Sequence, residues 1–498
     1  MKYLICIAIL CCMIFSKRAF TNDLELINNS RSCAQRPNLD FNIISPSGNF
    51  LIHYNYYYQG IDEYAYEVGI SADSSRKVIV DIMGFNAEIP DDDQIYDIYI
   101  VELGTGAYGV NCPDSNLISS WVEIDDNFIG FGYNGATGFD AMRITVAHEF
   151  FHAVQRSYIL LDSYSRYFFE LSSVWIEDII YPDINDYVTF SQLADDYFSN
   201  PEKNINQYNG YGIGLYGHYL NYKFGDQIMQ SIWNQFSLAD LTQNNYVIES
   251  INTVLDSSIY NSSFTKTWID FNARNIYNGL LNDMNNDIYY YKDQSLFNPI
   301  ETTSNPLENI SSSFMINNKS IKIKTFDIED SYAHLCLINN INYNPEFDNA
   351  VIAISSNDGN NILNMMSNQY YSNFLDSDDT MHLLYVTDQD NKEMSISIND
   401  EIFSNSKEII LYPNPVVSNG TLNLRLSSGI EVDNLTIDIY SIDGRKVKKL
   451  FIGEVNYSFN EYNEFSIKAF DSAFPSGVYI LRLNLDNIIY TKKIVYLN

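Results

Sequence analysis

The segment Thr145–Tyr158, TVAHEFFHAVQRSY, places two histidines four residues apart with a glutamate between them. On an α-helix each residue advances by about 100°, so His148 and His152 lie on one face, one turn apart. Two imidazoles in this arrangement can bind one Zn²⁺ ion, and Glu149 lies beside them, where a carboxylate takes a proton from metal-activated water. Because the chain has only 6 histidines, the spacing favours a zinc site over a structural helix that contains histidine by chance.

A catalytic zinc site needs a third protein ligand, and the next predicted helix supplies Glu170. The segment between His152 and Glu170 is long enough for the first helix to end and for a second helix to return antiparallel. A metzincin would have a glycine and a third histidine soon after the motif, but Gln155 and Tyr158 occupy those places. That subclass is therefore excluded.

The motif and the glutamate that follows it resemble the gluzincin arrangement, H-E-x-x-H with a glutamate ligand early in a second helix. A more specific resemblance covers about Asn49 to Gly279 and is to secreted bacterial metalloproteases of the gluzincin group. It is carried by AHEFFHAVQ, FFELSSVWIEDIIYPDINDY and GYGIGLYGHYLNYKFGDQIMQSIW. The resemblance implies a zincin-like fold, Glu149 as general base, and one catalytic zinc ion held by His148, His152 and Glu170.

The hydrogen-bond partners of the ligand histidines are less certain from the sequence. Thermolysin-type enzymes have an aspartate four residues after the ligand glutamate, where this chain has Val174. Glu177 lies on the same helix face as Glu170 and is placed to accept the outer N–H of a ligand histidine. For Glu177 and Asp178, a solvated helix end before Pro182 is an equally good interpretation.

A hydrolytic zinc site also needs a hydrogen-bond donor that faces the oxyanion. The segment GYGIGLYGHYL offers Tyr211, Tyr216 and His218, and we expect His218 or Tyr216 to take this catalytic role. With 40 tyrosines in the chain, packing is the ordinary role of any one of them. The other histidines stand alone in strand-like segments and are interpreted as structural: His53, His334 and His382.

Strand-like segments precede the zinc motif, and helical segments follow it. Runs of β-branched and aromatic residues predict strands at Asn49–Tyr58, Lys77–Phe85, Ile95–Leu103 and Ser119–Phe128. Helical periodicity predicts helices from Asp140 through the motif, then at Tyr167–Ile180, Tyr211–Phe224, Gln227–Phe236 and Ser263–Gly279. This order predicts an α+β domain at residues 21–295, which the resemblance implies is zincin-like. We expect SSWVEIDD to be the rim strand of its sheet and to bind substrate backbone.

Two β-rich modules complete a multidomain chain. Alternating apolar residues and turn residues predict an all-β module of unknown role at residues 305–402. From Lys407 the chain resembles the type A C-terminal sorting domain of type IX secretion in Bacteroidetes, through the motifs YPNP, DGR, SGVY and KKI. The strand pattern alone also suits an immunoglobulin-like or carbohydrate-binding module. Alternating strands with Asp-Gly and Pro-Ser-Gly turns predict a small β-sandwich at residues 407–498, and the resemblance implies that it engages the type IX machinery and is removed during secretion.

The N-terminus, MKYLICIAILCCMIFSKRAF, has one lysine followed by an apolar run that is short for a membrane span but typical of a signal peptide. We place a signal peptide at residues 1–20, with a membrane anchor or a lipoprotein signal at Cys11 or Cys12 as alternatives. The mature chain is expected to have no stable membrane span.

Three cysteines remain after the signal peptide. Cys33 and Cys112 could pair in an oxidising compartment, and Cys336 is expected to be a buried free thiol.

The formal net charge of −34 disfavours contact with phosphate backbones, so we expect no nucleic-acid partner.

The sequence as a whole predicts a secreted, zinc-dependent endopeptidase that acts on protein or peptide substrates. A catalytically inactive zincin-scaffold protein for surface binding or adhesion, and a different metal-dependent hydrolase, are the alternatives. Whether a pro-segment near residues 21–45 is removed stays open.

Overall fold

A five-stranded sheet forms the first layer of the computed structural model, in the strand order β1–β2–β3–β5–β4. The strands β2, β3 and β5 are parallel, whereas β1 and β4 pair antiparallel at the two edges. Their bounds are β1 (Phe41–Ile44), β2 (Phe50–Tyr54), β3 (Tyr96–Val101), β4 (Gly109–Pro113) and β5 (Ser120–Asp125).

The prediction that SSWVEIDD is the rim strand is wrong. This segment forms β5, which lies between β3 and β4, and the edge next to it is β4. The sequence of β4, GVNCP, contains glycine, asparagine and proline, which are depleted in strands. Its composition therefore does not predict a strand.

The structure describes residues 33–104, 107–128, 135–194, 196–279, 288–306, 311–316, 319–327, 334–339, 348–355, 362–366, 370–374, 380–387, 392–398, 409–417, 421–426, 434–441, 445–454, 464–468, 474–485 and 488–498. The predicted signal peptide lies outside these residues, as does the part of the possible pro-segment that precedes Cys33. The side chain of Cys336, for which a free buried thiol was predicted, also lies outside them.

The strand predicted at Lys77–Phe85 is a helix. α1 (Ile61–Arg76) continues without a break into a π-helical segment, Lys77–Ile82. The β-branched residues of Lys77–Ile82 favour a strand locally, but Ile79 is fully buried in the core behind the sheet. Tertiary packing therefore overrides the local preference here.

Seven further helices lie in the described part of the first domain. They are α2 (Gly138–Gln155), α3 (Arg166–Ile180), α4 (Asp186–Ala194), α5 (Leu215–Phe224), α6 (Ile228–Phe236), α7 (Tyr246–Leu255) and α8 (Phe264–Asn275). Short 3₁₀ turns occur at Ile205–Gln207, Tyr211–Ile213 and Gln294–Leu296. α2 contains the zinc motif and packs against both the sheet and α3. Its buried side chains are predominantly apolar, so the helix is fixed inside the domain.

The middle module has two sheets, with strand orders β11–β10–β13–β8–β6 and β12–β9–β14–β7. Its strands are β6 (Ser304–Pro306), β7 (Ser311–Ile316), β8 (Ile321–Asp327), β9 (His334–Asn339), β10 (Asp348–Ser355), β11 (Ile362–Met366), β12 (Tyr370–Phe374), β13 (Thr380–Thr387) and β14 (Lys392–Ile398). The first sheet lies against α8, and its side chains join the hydrophobic core of the first domain: Ile321, Val351, Ala353, Leu384 and Val386. Ion pairs at the edge of this contact join Lys319 to Glu249 and Lys322 to Glu202.

The C-terminal module also consists of two sheets, with strand orders β15–β17–β20 and β16–β22–β21–β18–β19. Its strands are β15 (Ile409–Tyr412), β16 (Val416–Val417), β17 (Leu422–Leu426), β18 (Asn434–Ser441), β19 (Lys446–Glu454), β20 (Glu464–Ile467), β21 (Gly477–Leu485) and β22 (Ile488–Leu497). In the described residues, we find no helix with the length and apolar character that a membrane crossing requires.

Candidate metal centre

Three predicted ligands meet between α2 and α3. His148 and His152 lie on α2, Glu170 lies on α3, and one ligand atom from each falls within 4.8 Å of the other two. Glu170 Oε2 is 3.2 Å from His148 Nε2 and 3.5 Å from His152 Nε2. The return of α3 alongside α2 creates this cluster, as the sequence spacing predicted.

The spacing of these atoms fits zinc. When ligand atoms lie about 2.0–2.1 Å from a tetrahedral metal, neighbouring ligand atoms are about 3.3–3.4 Å apart. The distances from Glu170 Oε2 to the two imidazole nitrogens bracket that value. Two imidazoles and one carboxylate are also the donor set of a catalytic zinc site that keeps one position open.

The electrostatics of the cluster keep Glu170 ionised. Burial alone would raise the pKa of this carboxyl, but the charges and hydrogen bonds of His152 and His148 outweigh burial and lower the pKa below its usual range. Burial raises the pKa of Glu177 to about 7, against the opposing effect of its hydrogen bond to His148. Glu170 is thus anionic at a largely buried position between the two histidines.

The outer nitrogen of His148 has a carboxylate partner. Nδ1 of His148 lies 2.6 Å from Glu177 Oε1, which is the contact predicted for Glu177. Val174, which stands where thermolysin-type enzymes have an aspartate, instead packs on α5: a Cβ at Gly214 would lie 2.6 Å from its Cγ1. The carboxylate that orients His148 is therefore one helical turn further along α3.

The outer nitrogen of His152 has an amide partner that sequence reasoning missed. Gln155 is fully buried, and its Oε1 lies 2.7 Å from His152 Nδ1. Its Nε2 donates to Phe169 O at 3.0 Å, so Oε1 must be the acceptor toward His152. Nδ1 of His152 therefore carries the proton, and Nε2 presents its lone pair to the metal position. The only sequence signal was a glutamine one helical turn after the second histidine.

We predict that Gln155→Ala lowers zinc affinity about 10–100-fold, because His152 loses the partner that fixes its tautomer and orientation. Competition with a chromophoric zinc chelator measures this affinity. Gln230→Ala, which removes a glutamine from α6 that donates to Gly84 O, is the matched control. Equal zinc affinity in the Gln155 variant and the wild type would contradict the role assigned to this amide.

Glu149 lies between α2 and the edge strand β4. Its side chain is buried, and a Cβ at Gly109 would lie 2.9 Å from Glu149 Cγ and 2.6 Å from Thr145 Cγ2. The absence of a side chain at Gly109 therefore allows β4 to pass in contact with the helix. This arrangement places the edge strand of the sheet beside the predicted general base.

Of the three donors considered for the oxyanion, Tyr211 is the one that lies at the cluster. Its ring is parallel to that of His148, with 5.9 Å between centroids and 7° between planes. The preceding Gly210 has a φ of +107°, and a Cβ there would lie 2.3 Å from Tyr167 O and 2.8 Å from Glu170 Cβ. Glycine at this position thus lets the Tyr211 turn lie directly on α3.

The structure places Tyr216 and His218 elsewhere, and in the described residues neither contacts a predicted ligand. The hydroxyl of Tyr216 lies 2.7 Å from Thr267 Oγ1 on α8, and the side chain is fully buried. His218 stacks on Tyr291 with 3.8 Å between centroids and lies 3.6 Å from Asp178, and burial lowers its pKa to about 3. Both residues lie on α5, which packs inward against α8 and α3 and so removes them from the cleft.

Two isolated histidines have structural partners. His53 Nε2 lies 2.7 Å from Asp97, and its ring stacks on Tyr99. His382 is buried between the hydroxyls of Thr325 and Ser355. These contacts support the structural interpretation of both, whereas the side chain of His334 lies outside the described residues.

Comparison with known proteins identifies the C-terminal part of the chain. Residues 410–497 match the family model of the secretion system C-terminal sorting domain. The sorting domain predicted from the sequence is confirmed over these residues, and it indicates export to the cell surface or secretion through the type IX machinery. No curated protein matches the chain.

Solved structures give only distant likenesses. A β-1,2-glucanase from Parabacteroides distasonis is 9% identical over 38% of this chain and 30% of its own, with a TM-score of 0.13. Dimeric latent PorU from Porphyromonas gingivalis is 16% identical over 37% and 20%, with a TM-score of 0.15. A β-glucuronidase of an uncultured Clostridium sp. is 9% identical over 35% and 34%, with a TM-score of 0.13. The chain spans about a third or less of these proteins, and the likenesses carry no argument about function.

Proposed function

We propose that the chain is an exported zinc-dependent endopeptidase of the gluzincin type. The observation that carries the proposal is the convergence of His148, His152 and Glu170, whose ligand atoms all lie within 4.8 Å of one another. Glu149, on the same helix as both histidines, adds the general base. His148, His152 and Glu170 would hold a zinc ion, which would supply Lewis acidity toward water and a substrate carbonyl.

The residues of the chain have separate roles in this proposal. Glu149 takes a proton from the attacking water and returns it to the leaving amine. The edge of β4 that faces away from β5 binds the substrate backbone by adding it as a further strand. Tyr211 donates a hydrogen bond to the oxyanion from its position beside His148.

The direct test uses the mature protein. We expect elemental analysis to find one equivalent of zinc, and we expect casein hydrolysis that a chelator abolishes and that added zinc restores. A wild-type protein that binds no zinc would refute the proposal. Zinc binding without hydrolysis of any protein or peptide would favour the inactive binding scaffold instead.

Tyr211→Phe is expected to lower kcat about 100-fold while zinc content stays unchanged, because the variant keeps the ring beside His148 but loses one oxyanion donor. Steady-state kinetics on a fluorogenic peptide measure the change. Tyr216→Phe removes a hydroxyl that bonds to Thr267, away from the ligands, and serves as the matched control with wild-type kcat. Equal kcat in the two variants would exclude Tyr211 as the donor.

A further inference from the structure

The edge strand β4 is held from both faces. Successive residues of a strand point to opposite faces, so Gly109 and Asn111 face α2 whereas Val110 and Cys112 face the other side. On that other side Cys112 packs with Tyr99 and Trp121 in a small separate core. Among the residues that the structure describes, β5 is the one strand that pairs with β4, so these side-chain contacts fix its position.

On the α2 side, Asn111 joins the strand to the catalytic helix. Its Nδ2 lies 3.3 Å from the backbone carbonyl of Glu149 and 3.1 Å from the hydroxyl of Tyr96. Its Oδ1 accepts a hydrogen bond of 2.7 Å from Nε of Arg156, just after α2. Asn111 therefore sets the distance between β4 and the backbone of the general base.

On the opposite side, a disulfide joins Cys112 to Cys33, 79 residues earlier in the chain. The segment that follows Cys33 is anchored through Arg36, whose Nη2 lies 2.8 Å from Asp114, one residue after β4. Arg36 also pairs with Asp97 on β3 and lies over the ring of Trp121. The segment thus spans three strands of the sheet, and the disulfide is its covalent bond to the edge strand.

We infer that the Cys33–Cys112 disulfide fixes β4 against Glu149, so that peptide hydrolysis depends on this disulfide whereas metal binding does not. The inference rests on the proposed function and adds a means of regulation to the same site. The ligands and their outer partners all lie on α2 and α3 and have no contact with the Cys33 segment in the described structure. Loss of the disulfide therefore displaces the substrate-binding edge but leaves the metal cluster in place.

Formation of the Cys33–Cys112 disulfide makes catalytic activity depend on export. A cysteine thiolate attacks the disulfide of an oxidant, and the second cysteine displaces the reduced oxidant from the mixed disulfide. Two thiols thereby lose two electrons and two protons, and the oxidant becomes a dithiol. Because Cys112 is fully buried, the bond forms while the chain folds, in the oxidising compartment that it enters on export. The protein is then catalytically competent only after it leaves the reducing cytoplasm.

The test compares Cys33→Ser, Cys112→Ser and the double variant with wild type. Variants are preferable to a dithiol reductant, because dithiols bind zinc and would confound the result. We expect kcat/KM for a peptide to fall at least about tenfold, since small displacements at a catalytic site have large effects. Zinc content should remain one equivalent, and Cys336→Ser is the control for loss of a thiol outside the pair.

A second measurement keeps the inference testable whatever the activity of the wild type. Hydrogen exchange of the backbone amides in Gly109–Cys112 should become faster in the serine variants, while amides of α2 should retain their protection. Wild-type kcat/KM and unchanged exchange in the variants would overturn the inference, and so would loss of zinc together with activity. Absence of hydrolysis by the oxidised wild-type protein would refute the proposed function instead.

Discussion

Glu149→Gln is expected to reduce kcat for peptide hydrolysis about 10²–10⁴-fold, because the amide cannot accept the proton of the attacking water. The substitution preserves side-chain size, which matters because Glu149 is buried beside Gly109 and Thr145. Zinc content should stay at the wild-type level, because Glu149 is not part of the ligand cluster.

Steady-state kinetics and elemental analysis on the same preparation test this expectation. Glu63→Gln, an exposed position on α1, provides the matched control with unchanged kcat. If the Glu149 variant retained wild-type kcat, another residue would be the general base. If it lost zinc as well, Glu149 would act in metal binding and not in proton transfer.

Glu170→Ala is expected to abolish hydrolysis by removing zinc. Loss of a direct ligand should weaken binding by more than the roughly 10–100-fold that an outer partner contributes. The variant also removes the negative charge that lies between the two histidines. Zinc affinity by chelator competition is the primary measurement.

The control for Glu170→Ala is Glu63→Ala, which removes an exposed carboxylate from α1. Excess zinc should restore little activity to the Glu170 variant, because two imidazoles alone leave the coordination incomplete. Retention of one equivalent of tightly bound zinc after dialysis would show that the third ligand is another residue.

The ligand cluster was predictable from the sequence because its determinants are local. The positions of His148, Glu149 and His152 follow from helical geometry alone, and Glu170 and Glu177 share one face of the next helix. The same reasoning could not decide among Tyr211, Tyr216 and His218. Gly210, Gly214 and Gly217 set how that segment lies on α3, through close approaches that no periodicity reveals.

The sheet was less predictable at its edge and behind the core. The segment Lys77–Ile82 has the composition of a strand but continues a helix, because burial of Ile79 determines its conformation. β4 has the composition of a loop but pairs with β5, where Asn111 and Cys112 anchor it from the two faces. Long-range contacts decide both cases, and a single sequence does not display them.

The contact between α8 and the middle module changes how much of the chain the first domain needs in order to fold. Tyr277, just after α8, donates to the carbonyl of Ile354, and Asn349 on β10 donates to Thr265. The two modules on either side of residue 300 therefore share one hydrophobic core and are not joined by a flexible linker. A protein truncated near residue 300 would expose the apolar face of α8 to water. Because α8 packs on α5 and α5 packs on α3, the disorder would extend to Glu170. The described apolar contacts thus make β8, β10 and β13 part of the folding unit of the first domain, so a cut that leaves this unit intact lies beyond Thr387.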